Sequence, residues 1–173
     1  MLPITVLNDL STEQQRAEIW QYCMTDNWQF GHGSFDDRGA NNIDFWKMEM
    51  DDVASVDQFW LSVKPKCDEL ASGDLTVIRQ YANGHTYGQG GQPHLDDQRS
   101  GCYTLLYYPM PVWKDAWDGE TVFYKDDGEV RCAIKPKPNR AILFDSRILH
   151  AGRAPHRSFG GLRVTVAYKL QLR

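Results

Sequence analysis

The sequence predicts a mainly β protein of the α+β class, with a β-core and flanking α-helices packed outside it. Three observations carry this reading. The 173 residues are 42% hydrophobic and 12% aromatic, enough for one domain with a real core. Two capped runs of helical periodicity precede Gly73. After Gly73 come six short β-branched or aromatic runs, punctuated by Gly, Pro and Asp, with no helical pattern between them.

In chain order, Ser11 with Gln14 forms a capping-box pattern. It opens a helix to about Thr25, with Ala17, Trp20, Cys23 and Met24 on one face. Gly31 to Asn42 is rich in Gly, Asp and Asn and reads as a long loop, a candidate lid. Phe45, Lys47 and Glu49 suggest a short strand. Ser55 and Gln58 repeat the capping device before Val56, Phe59, Trp60 and Val63, so a second helix runs toward Leu70, with Pro65 as a kink or break. The six strands are expected at Leu75–Tyr81, Cys102–Tyr108, Thr121–Tyr124, Val130–Ile134, Ala141–Phe144 and Arg163–Leu170. Asp127-Gly128 marks a hairpin between two of them.

Composition narrows the function classes. No apolar run reaches the length of about 18 residues that a membrane span needs. Met1 to Leu10 lacks the basic and apolar regions of a secretory signal. Cys23, Cys67, Cys102 and Cys132 are scattered without a C-x-x-C pair, so reduced thiols in the cytoplasm are expected. The net charge of -4 argues against a dedicated nucleic-acid binder. It hides a split, because Glu129 to Arg173 holds ten Lys or Arg against two acids. That segment is either a solvated face or a place where something anionic binds.

His94-Leu95-Asp96 is the first chemical signal. On a strand, residues two apart point to one side, so imidazole and carboxylate can converge on one ion. Alone the pair is weak, since His-x-acid matches arise by chance. His150, after the run Asn139 to Phe144, supplies a second imidazole from a separate strand. Two His and one carboxylate would form a facial triad suited to Fe(II), leaving adjacent positions open. Such a metal stays net positive, which favours an anionic chelating cosubstrate.

The motifs occur in a recognisable order. They are Ile78-Arg79-Gln80-Tyr81, His94-Leu95-Asp96, Thr104-Leu105-Leu106-Tyr107-Tyr108 and Trp117-Asp118-Gly119-Glu120-Thr121. Pro138-Asn139-Arg140-Ala141-Ile142-Leu143-Phe144, His150, and Arg163 with Thr165 complete the set. From Leu75 to Leu170 the chain resembles the 2-oxoglutarate- and iron(II)-dependent dioxygenases, in their prolyl-4-hydroxylase-like branch. The resemblance implies a double-stranded β-helix, or jelly-roll, catalytic core over 73–173, with 1–72 as its helical support in a single domain. It implies His94, Asp96 and His150 as iron ligands. Arg163 resembles the base that pairs with the distal carboxylate of 2-oxoglutarate, two residues before Thr165. Tyr108 resembles a tyrosine bonding the same carboxylate, and Tyr81 one near the chelating end. Fe(II), 2-oxoglutarate and O2 would together hydroxylate a C–H, yielding succinate and CO2. Asp96 fills the ligand position that a halogenase leaves vacant.

Two departures stand out. The stretch from His150 to Arg163 is long and holds Arg153 and Arg157, either of which could replace Arg163 or meet an anionic substrate. Gly119 is followed by Glu120 where many relatives have a glycine, a change expected to alter a turn. The Gly-rich stretch from Asn83 through His85 to Gly91 reads as a closing loop or a flexible connection. His156 reads as a surface histidine, and Trp113 and Trp117 either line the substrate mouth or cover the barrel end, the second being the favoured reading. The substrate, peptidyl (prolyl among the options) or small-molecule, has no motif of its own, and its charge stays open. Two other classes remain: a cupin-like metalloenzyme that does not use 2-oxoglutarate, and a non-catalytic jelly-roll binding module.

Overall fold

The computed structural model describes residues 3–34 and 43–173. Its elements in chain order are β1 (Thr5–Leu7), α1 (Glu13–Cys23), β2 (Gln29–His32), β3 (Phe45–Glu49), α2 (Ala54–Ala71), β4 (Leu75–His85) and β5 (Cys102–Tyr108). There follow β6 (Thr121–Tyr124), β7 (Val130–Ile134), β8 (Arg140–Asp145), β9 (His150–Gly152) and β10 (Arg163–Leu172). Seven strands form one antiparallel sheet in the order β1-β8-β5-β10-β4-β3-β2, and β7-β6-β9 form a second. This is the α+β, jelly-roll type of architecture expected.

The helices cap differently from the expectation. Thr12, not Ser11, is the N-cap of α1: its hydroxyl accepts from the Gln15 backbone N–H, while the Gln15 side chain accepts from Thr12 N–H. Ser11 is drawn away by Asn139, whose Oδ1 accepts from both Ser11 N (3.0 Å) and Ser11 Oγ (2.7 Å). The buried face of α1 is Arg16, Ile19 and Cys23, and Met24 is exposed. In α2 the N-cap is Val53, with no side-chain cap, and Ser55 lies inside the helix. Pro65 also lies inside an unbroken α2. The carbonyl it leaves unpaired belongs to Leu61, which is 66% exposed, so water can satisfy it.

The first 72 residues are not helices alone, since β1, β2 and β3 join the large sheet. Gly31 and His32 belong to β2 rather than to the expected loop, and 35–42, with the candidate lid there, lie outside the described residues. The expected strand at Leu75 runs on to His85, so Asn83 and His85 sit in β4, not in a flexible connection. The hairpin at Asp127-Gly128 is present, with Lys125 N–H donating to Glu129 O.

Alternation divides the large sheet into two faces. Tyr107, Val166, Tyr168 and Leu105 pack on the helices, with Phe59 and Tyr107 ring centroids 4.2 Å apart and the Tyr168 hydroxyl donating to Val56 O. Antiparallel register sets the other face. Arg163 is opposite His85, Thr165 opposite Asn83, Ala167 opposite Tyr81 and Lys169 opposite Arg79. Among the described residues no helix is long and apolar enough to cross a membrane.

Candidate active site

His94 and Asp96 lie on the connection between β4 and β5, which is not a strand as expected. It makes an isolated bridge in which His94 N–H donates to His150 O (2.9 Å) and His150 N–H to His94 O (3.1 Å). Asp96 N–H donates to Ser146 O (3.0 Å). These bonds bring the ligand atoms of His94, Asp96 and His150 within 4.8 Å of one another. The Nδ1 atoms of His94 and His150 lie 2.8 Å from Gln92 O and 2.9 Å from Ile148 O. Donation there fixes both tautomers and leaves each Nε2 lone pair facing Asp96, at 3.3 and 3.5 Å from its carboxylate oxygens.

Charge states suit a metal. Burial pushes the His150 imidazole down to about 4, with Asp96 opposing and His94 and Lys169 adding, so the ring is neutral near pH 7. Burial alone would raise Asp96, yet Lys169 and the two imidazoles hold it well below the usual carboxylate range. Thr104 Oγ1 donates to Asp96 Oδ2 at 2.6 Å. The Lys169 ammonium forms an ion pair with the same oxygen. Burial disfavours the charge on Lys169, but Asp96 and Tyr81 outweigh it and keep the group protonated.

Beyond the triad lies a recess of about 40 Å³ lined by Tyr81, Asn83, His85, Thr121, Arg163 and Thr165, among others. Arg163 is 1% exposed. Its Nε donates to Gly119 O (2.5 Å), one terminal nitrogen donates to Thr121 Oγ1 (3.1 Å), and its guanidinium lies 5.6 Å from the Tyr108 ring centroid. Among the described residues no carboxylate lies within ion-pair distance of it. A buried cation without an anion is costly, and the recess offers room for one. Asn83 Oδ1 and both ring nitrogens of His85 are buried without a hydrogen-bond partner. Two glycines leave the space: a Cβ at Gly119 would lie 3.0 Å from Arg163 Cδ, and one at Gly152 would lie 2.8 Å from His85 Cε1.

The structure thus gathers His94, Asp96, His150, Arg163, Thr165 and Tyr81 around one space. Tyr108 is adjacent but not open to it, its hydroxyl 2.7 Å from Thr121 Oγ1. Arg153, Arg157 and His156 are exposed and line neither the recess nor the chamber outside it. Trp113, Trp117 and Phe159 form their own aromatic cluster, with centroids 4.7 to 5.5 Å apart. Sequence reasoning missed Lys169 and His85. The period-two pattern, extended from Thr165 to 167 and 169 and from Tyr81 to 83 and 85, could have found both.

Two imidazoles and one carboxylate on one side of an ion define a mononuclear 2-His-1-carboxylate oxygenase site. The profile of the 2OG-Fe(II) oxygenase superfamily matches residues 79–168, just over half of the chain, and the chain belongs to that superfamily. It is an enzyme with the site of an Fe(II)/2-oxoglutarate-dependent hydroxylase. A comparison with curated proteins found no match. Among solved structures, a Trichoplax adhaerens prolyl hydroxylase, in complex with a hypoxia inducible factor peptide, is similar at 17% identity and TM-score 0.68, covering 99% of this chain and 84% of that one. A Pseudomonas putida prolyl-4-hydroxylase is similar at 12% identity and TM-score 0.70, covering 98% and 92%. The epimerase SnoN from nogalamycin biosynthesis is similar at 12% identity and TM-score 0.73, covering 97% and 77%. At these identities the likeness is one of fold.

Proposed function

We propose that the protein uses 2-oxoglutarate and O2 with Fe(II) to hydroxylate an unactivated C–H of a small-molecule or peptidyl substrate, a prolyl residue among the candidates, with release of succinate and CO2. The observation that carries this reading is the buried Arg163 beside the triad. A cupin-like metal site needs no cation there, whereas a dicarboxylate cosubstrate does.

His94, Asp96 and His150 would hold the metal, which when bound supplies the oxidising chemistry. The chain's own residues do the positioning. Arg163 would grip the distal carboxylate of 2-oxoglutarate through its free guanidinium edge, with Thr165 and Thr121 beside it. The Tyr108 ring supports that guanidinium, and Tyr81 lines the space between cosubstrate and metal ligands. Asn83 and His85 offer polar atoms to the same recess. The four free cysteines, three of them buried, support a reducing, cytoplasmic setting.

Anaerobic addition of Fe(II) and 2-oxoglutarate should give a visible charge-transfer band that His94→Ala lacks, and aerobic turnover should give succinate. Arg163→Ala should weaken 2-oxoglutarate binding at least about tenfold while retaining metal, because it removes a buried charge-assisted contact. Equal 2-oxoglutarate affinity in both proteins would favour the cupin-like reading.

A further inference from the structure

We infer that the substrate carries a carboxylate, gripped by Lys169 with Arg79 at the mouth of the site; this rests on the hydroxylase reading above. An outer chamber of about 430 Å³, a size that takes small molecules, opens on His94 and Asp96. Lys169 and Arg79 stand opposite each other in register, and both line the chamber. Both approach one face-bearing residue, Tyr81: the Lys169 ammonium lies 5.6 Å and the Arg79 guanidinium 4.8 Å from its ring centroid. Lys47 lies 5.4 Å from the same ring, so three cations converge there.

Among the described residues their counter-charges are few, since Asp97, which also lines the chamber, pairs with Arg99. Lys47 pairs with Glu49, which Arg79 reaches only at 3.8 Å. Among the described residues Lys169 pairs with Asp96 alone, and Asp96 is one of the three residues that would hold the metal. Once that carboxylate serves a divalent ion, the ammonium loses its counter-charge inside a desolvated wall, and an incoming anion restores it.

Holding Asp96 in place does not require Lys169. Thr104 Oγ1 already donates to its carboxylate, and the Asp96 backbone N–H, donating to Ser146 O, holds the main chain there. Lys169 shares its face of β10 with Arg163, Thr165 and Ala167, which line the recess beside the triad, and it carries that ligand-facing wall out into the chamber. The remaining chamber walls include Phe45, Ile78, Tyr103 and Leu170. They suit an apolar body attached to the acid, and the contact between Lys169 and a metal ligand places the oxidised carbon near the acid end.

The test is calorimetric titration of the Zn(II)-loaded protein, with and without 2-oxoglutarate. Its probes are phenylacetate, 3-phenylpropionate and 4-phenylbutyrate, each against its primary amide. The wild-type protein should prefer at least one acid over its amide by about tenfold, the effect of one charge-assisted hydrogen bond. Lys169→Met should reduce that preference below about threefold while still binding Zn(II), Lys169→Arg should restore part of it, and Arg79→Gln should weaken it. A role confined to Asp96 would shift Zn(II) affinity and leave the preference intact. Equal affinities for acid and amide, no acid binding, or a preference that survives Lys169→Met overturns the inference. Loss of 2-oxoglutarate binding would instead count against the cosubstrate reading, leaving the titrations without it to judge Lys169 on their own.

Discussion

At the scale of single residues, the site is built from groups that burial forces into defined charge states. His150 is the clearest, a ring pushed down to about 4 from an ordinary 6.5. Burial likewise holds His85 well below its ordinary value, with Arg163 adding. In the unfolded chain both rings take up a proton near pH 6.5, whereas the folded chain keeps them neutral to much lower pH. Stability from these groups is therefore fully present above about 6.5 and is lost as the pH falls, for His150 toward its folded value of about 4. For His150 the linkage amounts to about 3 kcal/mol across that window. The melting temperature of metal-free protein should fall by about 5–10 °C between pH 7 and pH 4.5, and His150→Gln should flatten the curve. A flat profile in the wild-type protein would mean that the imidazole is not held neutral.

At the scale of elements, turns decide whether the side chains have room. Gly119 and Gly128 both adopt positive φ, at 80° and 85°, where a side chain is strained. A Cβ at Gly128 would meet nothing within 4 Å, while one at Gly119 would crowd Arg163. Both Ala variants should lose about 1 kcal/mol of stability. Only Gly119→Ala should also weaken 2-oxoglutarate binding, by about fivefold or more, measured by titration; equal affinity in the two variants would detach the turn from Arg163. The strands around these turns were largely legible. Thr121–Tyr124 and Val130–Ile134 end where β-branched and aromatic runs end, with Asp-Gly between them. β1 and β2, of three and four residues, carry too little alternation to read, whereas the equally short β6 is marked by the Asp-Gly turn that follows it. The His94 segment looked like a strand, but its shape comes from the bridge to His150. Ser11 lost the cap to Thr12 because Asn139, far along the chain, competes for it. The triad and Arg163 were readable from motif order. For Lys169, period two gives only the face it shares with Arg163; its pairing with Asp96 depends on how β10 registers against β4 and β5.

At the scale of the whole molecule, the large sheet separates two kinds of interior. Its helix-facing side is apolar and rings such as Phe59, Trp60, Tyr107 and Tyr168 fill it. The other side buries Arg163, His85 and His150 and largely covers the Lys169 and Asp96 side chains, groups that hold their positions at the expense of solvation. Of the ten bases after Glu129, Arg163 and Lys169 turn into this space, so the basic carboxy-terminal segment is not solely a solvated face. A site whose ligands come from the small sheet (His150), the large sheet (Arg163) and a connecting segment (His94, Asp96) exists only in the folded chain. Ligands that need all three must therefore stabilise the fold by mass action. At about a hundred times their dissociation constants, Zn(II) and 2-oxoglutarate should add about 2.7 kcal/mol each. For a chain of this size each such step is on the order of 5–10 °C in melting temperature. The gain from 2-oxoglutarate should require metal, because its chelating end has nothing to bind otherwise, and should shrink in Arg163→Ala. Asp96→Asn should lose most of the metal's share while melting cooperatively. Scanning calorimetry of the metal-free, Zn(II)-loaded and doubly loaded protein separates these contributions. An equal 2-oxoglutarate shift with and without metal would show that the acid binds elsewhere on the molecule.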